Sequence, residues 1–309
     1  MDLLQAMNQR HSVRSYTERT IEGKTKEELL AFLAQCGRES GLRLQLVLDE
    51  PAAFDGFMAH YGKFSGVRNY IMLAGEKGAG LDEKCGYYGE KIVLFAQALG
   101  LNTCWVALTY SKGKAALRLD KGEKLCLVIA IGYGQTGGVP HKSKERARVM
   151  DVQGTPPDWF IRGIDAALLA PTAMNQQKFV FSLKDNVVTA KPGLGFYSKV
   201  DLGIAKYHFE LGAGTQNFRG GCAAGAGRSP KNRRAGVFPR PSACNPICIR
   251  SPHDLPAVEA HGGDMGVADH GVAVADDHVA VLAHLQGAHP VGNPHVLGGV
   301  DGDGLEGRK

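Results

Sequence analysis

The chain has 309 residues, room for one large domain or two ordinary ones, and carries 44% hydrophobic residues with a formal net charge of +5. That small positive balance comes without a long basic run or a nucleic-acid motif, so it suits an anionic small molecule and the expected partners include no nucleic acid. There is no stretch of roughly 18 apolar residues to span a membrane, no basic segment followed by an apolar run at the start and no disulfide-framework spacing among seven cysteines, so the expected location is cytoplasmic.

Asp2–Gln9 reads as a short helix with Asp2 as N-cap and Leu3, Leu4 and Met7 on one face. A loop follows, Arg10-His11-Ser12-Val13-Arg14-Ser15-Tyr16. Thr25–Gln35 is a second helix, opened by a capping box of Thr25 and Glu28. Leu42–Leu48 alternates like a strand, and Val67–Ala74 is a further apolar strand. Gly86–Leu99 is a long buried helix stopped by Gly100. Thr103–Leu108 and Leu125–Gly132 are β-rich and apolar on both faces, as central strands of a covered sheet are, with a short helix or loop at Ser111–Leu117 between them. Helices and strands interleave throughout, which predicts an α/β or α+β fold with helices over a sheet.

A weak repeat runs at an offset of 114: Gly89, Phe95 and Gly100 correspond to Gly203, Phe209 and Gly214. Ile164–Leu169 followed by Phe179-Val180-Phe181 echoes Leu29–Leu33 followed by Leu46-Val47-Leu48.

Two segments carry the chemistry. Arg10, His11, Ser12 and Arg14 put two guanidinium forks, an imidazole and a hydroxyl directly after a helix. That is either a phosphate cradle or a solvated basic loop. In Ala170-Pro171-Thr172-Ala173-Met174-Asn175-Gln176-Gln177, Pro171 stops a helix, small residues permit close approach, and amides offer hydrogen bonds. It suits a flat polar ring, or it is a helix-ending loop. Cys104, in an apolar strand with no nearby His, reads as a buried inert thiol. Gly132–Gly138 is glycine-rich but lacks the ending of a phosphate-binding P-loop.

Taken together, these segments resemble the nitroreductase family. Arg10–Tyr16 is similar to its FMN phosphate-binding signature, and Ala170–Phe179 to the segment that lies against the flavin ring. Gly100-Leu101-Asn102-Thr103-Cys104-Trp105-Val106 resembles its G-L-G-T-C-W strand. Ile131-Gly132-Tyr133-Gly134 with His141-Lys142-Ser143-Lys144 resembles its closing phosphate contact. The resemblance runs from Met1 to about Phe218. It implies an α+β, nitroreductase-like fold with a central sheet covered by helices. In ordinary members the ring-contacting segment follows soon after the arginine motif. Here that slot reads Cys36-Gly37-Arg38-Glu39-Ser40-Gly41, and the intact segment lies in the second half, which has no arginine motif of its own. The chain therefore resembles a fused pseudo-dimer, with halves of about 1–150 and 151–218 sharing one composite site.

The resemblance implies roles. Arg10, Ser12, Lys142 and Lys144 would hold the 5′-phosphate, with His11 close to it or to the ribityl chain. Arg14 or Lys63 would sit near the ring's N1 and O2. The backbone of Ala107 and Leu108 would face N5, with Pro171, Thr172, Ala173 and Asn175 along the ring. No side chain is assigned as catalytic and no metal is expected, because the flavin carries the hydride. Tyr16, Tyr87, Tyr88 and Trp105 are aromatic neighbours that could line the substrate face or belong to the core. The implied activity is transfer from NAD(P)H through FMN to a small-molecule electron acceptor such as a nitroaromatic or quinone. The alternatives are a flavin-binding sensor or store without fast turnover, and a dehalogenase-type use of the same fold. The chain would be a monomer, or a weak homodimer.

Composition breaks near Phe218. All nine Tyr, both Trp and 17 of 19 Lys precede Arg219, whereas seven of eleven His follow it, so residues 219–309 bury too little to offset chain entropy and read as an unfolded tail, or the product of a shifted reading frame. The tail histidines, from His253 to His295, are spaced 8, 9, 8, 6, 5 and 6 apart and match no metal-ligand pattern.

Overall fold

The computed structural model describes residues 1–57, 59, 62–111 and 119–220. The expectations for the tail beyond Gly220 and for most of Ser111–Leu117 lie outside the described residues. Five α-helices and eight strands are described: α1 (Leu3–Gln9), α2 (Gly23–Ser40), β1 (Arg43–Val47), β2 (Tyr70–Glu76), α3 (Leu81–Ala98), β3 (Asn102–Val106), β4 (Glu123–Gly132), β5 (Met150–Val152), α4 (Asp158–Ala167), β6 (Phe179–Lys184), β7 (Val187–Pro192), α5 (Ser198–Ala213) and β8 (Arg219–Gly220). The fold is α+β. The strands form two four-stranded sheets, ordered β1-β2-β4-β3 and β5-β6-β7-β8. The first is antiparallel throughout; in the second β5 runs parallel to β6, β6 antiparallel to β7 and β7 parallel to β8.

Asp2 caps α1 as its sequence demands, accepting the Gln5 N–H at 2.7 Å. Helix α2 starts two residues before Thr25, so the expected capping box lies inside the helix, where Glu28 pairs with Lys24. Its C-terminus runs on past Gln35 to Ser40. β2 and β4 occupy the middle of the first sheet, but β3 is an edge strand and not a central one. Its outer edge is closed by the N-terminal loop, whose Val13 N–H donates to the Thr103 carbonyl at 3.0 Å. The Tyr16 hydroxyl pins the same loop by donating to Val13 O at 2.7 Å. The arginine motif thereby lies along β3.

Helix α3 begins at Leu81, five residues earlier than expected, because Gly86 is a crossing point and not a start. A Cβ on Gly86 would lie 2.1 Å from Val200 O, and one on Gly203 would lie 2.0 Å from Glu83 O. Glycine at both positions lets α3 and α5 pack backbone to backbone. Around this pair the two halves share one order. In the first, α2, β1, β2 and α3 stack Phe32 on Phe95 at 4.1 Å. In the second, α4, β6, β7 and α5 bring Phe160 to Phe209 at 5.4 Å. The corresponding links differ: α2 and β1 are joined by Gly41-Leu42 alone, whereas eleven residues, 168–178, join α4 to β6. Phe218 is buried, stacked with Trp159 at 5.7 Å and edge-on to Phe209 at 5.6 Å.

Candidate cofactor site

The N-terminal loop and the 168–178 link meet. Between them lie two adjoining cavities of about 140 and 330 Å³, which share Ser12, Arg14, Pro171, Thr172 and Met174 in their walls. Together they fall in the roughly 300–1,000 Å³ range of small-molecule sites.

The smaller cavity is bounded on one side by the end of β3, including Trp105, Val106 and Ala107. On the other side stands the first turn of α5, with Val200 and Asp201, preceded by Tyr197. The larger one is lined by Arg10, His11, Val139, His141 and Asn175. Arg10 is 3% exposed, and among the described residues its guanidinium makes no hydrogen bond; its Nε is buried without a hydrogen-bond partner. A buried cation with unused donors facing a cavity is built for an anion. Burial, and then the Arg10 charge, hold the His11 imidazole below its usual pKa.

The link is strained and heavily braced. Met174, Asn175 and Gln177 have φ of +53°, +54° and +43°, a region that non-glycine residues occupy at a cost. Asp201 Oδ1 accepts the Ala173 N–H at 2.9 Å and Oδ2 accepts the Gln176 side chain at 2.7 Å. Buried Gln177 donates to Lys142 O at 2.9 Å and accepts the Lys144 N–H at 2.8 Å. Burial raises the Asp201 carboxyl to about 6, against the two hydrogen bonds that favour its charged form.

Of the expected residues, Arg10, His11, Ser12, Arg14, Ala107, Pro171, Thr172, Ala173 and Asn175 line these cavities. Lys63, Leu108, Lys142 and Lys144 are not brought to either wall as described. Lys63 and Lys142 are exposed, and Leu108 is 46% exposed beyond the end of β3. Lys144 spends its ammonium on the carbonyls of Gln176, at 2.6 Å, and Gln177, at 3.2 Å, so it braces the link. Trp105 lines the smaller cavity, whereas Tyr16 and Tyr88 are core residues. Cys104 is buried, and burial pushes its thiol up, as expected of an inert cysteine. Asp201, Tyr197 and Glu90, which accepts the Trp105 indole N–H at 2.9 Å, carry no motif. The only sign of them in the sequence is an acidic or hydroxyl group within an otherwise apolar helix or at its start.

A family model described as "Putative TM nitroreductase" matches residues 2–213. The chain belongs to this nitroreductase family. Among solved structures, a "putative nitroreductase" from Thermotoga maritima is similar at 23% identity, over 68% of this chain and 83% of that one, with a TM-score of 0.49. A "putative nitroreductase in complex with FMN" from Desulfovibrio desulfuricans is 18% identical over 50% of this chain and 99% of that one, with a TM-score of 0.38. A "putative NADH dehydrogenase/NAD(P)H nitroreductase" from Parabacteroides distasonis is 22% identical over 48% and 95%, also at 0.38. No curated protein matches the chain. Among the described residues, no helix is long and apolar enough to cross a membrane.

Proposed function

We propose that this nitroreductase-family chain is an oxidoreductase that binds one FMN and moves electrons from NADH or NADPH to a small acceptor, a nitroaromatic or a quinone. The carrying observation is the meeting of the Arg10–Arg14 loop of the first half with the Pro171–Asn175 link of the second around one pair of cavities. The residues fit the cofactor: the buried guanidinium of Arg10, whose Nε has no hydrogen-bond partner among the described residues, suits a phosphate dianion, and the slot between Trp105-Val106-Ala107 and the link suits a flat ring. When bound, FMN supplies the hydride chemistry. Ser12 and Arg10 would hold the phosphate, Arg14 would offer positive charge to the ring, and Pro171, Thr172 and Ala173 would help to enclose it.

A single site per chain follows from the unequal links. The first half has only Gly41-Leu42 where the second has its ring-facing loop, so a second site with the roles of the halves exchanged would lack one wall. This reading makes the chain a pseudo-dimer, active as a monomer or weak homodimer in the cytoplasm. The test is NADPH oxidation by the yellow protein with menadione as acceptor. Rapid turnover supports the oxidoreductase; flavin that stays oxidised in excess NADPH and NADH leaves a flavin-binding sensor or store.

A further inference from the structure

Three ionisable side chains are buried together beside the larger cavity. Arg10 is 3% exposed, Glu90 on α3 and His208 on α5 are both 0% exposed. Glu90 Oε2 accepts the Trp105 indole N–H at 2.9 Å, and Oε1 stands 2.9 Å from His208 Nε2. His208 turns its other ring nitrogen, Nδ1, to the Ala166 carbonyl at 3.0 Å. His208 thus bridges the Glu90 carboxyl group and the Ala166 carbonyl through its two ring nitrogens. Glu90 Oε1 also lies 3.7 Å from Arg10 Nε, an ion pair without a hydrogen bond. Glu90 thus stands close enough to balance the Arg10 charge without a hydrogen bond to it, its two oxygens being drawn toward His208 and Trp105 instead.

We propose that Glu90 is a resident counter-anion that stabilises buried Arg10 while the phosphate end of the site is empty, and that His208 restrains Glu90 so that Arg10 stays open to the phosphate of FMN. The proposal rests on the FMN reading above. It makes Glu90 and His208 positioning residues, and it ties the phosphate end, built by the first half, to a histidine of the second. Replacing the histidine ring by a phenyl ring frees Oε1 from its ring-nitrogen partner and leaves Arg10 Nε, 3.7 Å away, beside it. A hydrogen-bonded Arg10–Glu90 pair then competes with phosphate. Replacing Glu90 by glutamine keeps a partner for each neighbour: its carbonyl accepts from Trp105 and its amide faces the His208 ring. The carboxylate beside Arg10 is removed.

The experiment measures binding of FMN and of riboflavin to the apo-protein by quenching of flavin fluorescence, and the shift in melting temperature caused by inorganic phosphate. His208→Phe is expected to weaken FMN by about tenfold or more, the worth of a charge-assisted hydrogen bond, and to leave riboflavin unchanged. Adding Glu90→Gln to His208→Phe is expected to restore FMN affinity to near that of the wild type. Glu90→Gln alone is expected to show a larger phosphate-induced rise in melting temperature than the wild type. A double variant that binds FMN as weakly as His208→Phe, or more weakly, overturns the proposal. So does a His208→Phe protein with wild-type affinity. Should His208→Phe not fold, Glu90→Gln decides, and a phosphate shift equal to or below the wild-type shift overturns it. A wild-type protein that binds FMN normally while these variants behave otherwise leaves the FMN reading standing; one that binds neither FMN nor phosphate brings down both.

Discussion

Arg10 and Asp201 are opposite cases of a buried charge at the same site. Arg10 has donors to spare and a cavity in front of it, so Arg10→Ala or Ser12→Ala is expected to weaken FMN about ten- to a hundred-fold while turnover at saturating FMN changes little. Titration of each apo-variant with FMN checks this; unchanged affinity would make the loop a solvated one. Asp201 is buried beneath the strained link, and its carboxyl is raised from 3.8 to about 6. The folded state therefore binds the proton more tightly than the unfolded chain does. The stability from this group is full below about pH 4 and lost as pH rises through about 6. Asp201→Asn removes that dependence, so the variant should gain about 2 kcal/mol on the wild type between pH 4 and pH 7. Urea melts at the two pH values measure the difference; parallel curves would contradict it. The arginines were legible in the sequence because their spacing is local. Asp201, Glu90 and His208 were not, because what gives each meaning is a partner on a distant element: Ala173 and Gln176 for the first, Trp105 and Arg10 for the second, Ala166 for the third.

At the scale of elements, capping and periodicity found the helices and strands up to β4 together with α4 and β6, gave no sign of β5, β7, β8 or α5, and missed where tertiary packing decides. Asp2 caps α1 because that bond spans three residues and needs nothing else. β3 looked central because it is apolar on both faces, yet it is an edge whose exposed side is covered by the N-terminal loop, an arrangement no local pattern encodes. Gly86 looked like a helix start; its real work is to admit the backbone of α5. Gly203→Ala places a methyl 2.0 Å from Glu83 O, a backbone atom that cannot swing aside. The expected loss is at the upper end of the roughly 1–3 kcal/mol typical of overpacked cores, or beyond it. Chemical denaturation of the variant checks this, and a loss under about 0.5 kcal/mol would show that the helices are free to part.

For the whole molecule, the repeat at an offset of 114 became legible as architecture: helix, two antiparallel strands and helix, twice, with Gly100 and Gly214 both at positive φ after the paired helices. The family match ends at residue 213, and Arg219-Gly220 forms a short strand beside β7. A chain ending at Gly220 is expected to keep its flavin and to melt within a few degrees of the full chain; loss of flavin on truncation would show that later residues complete the site. The asymmetry between the halves makes a sharper demand. One half supplies the arginines and the other the ring-facing link, so the account allows one composite site and no second. The direct measurement is flavin released per chain on denaturing the purified protein after saturation with FMN and removal of the excess. One FMN per chain is the predicted result; two per chain would contradict the composite site, and none would contradict the cofactor.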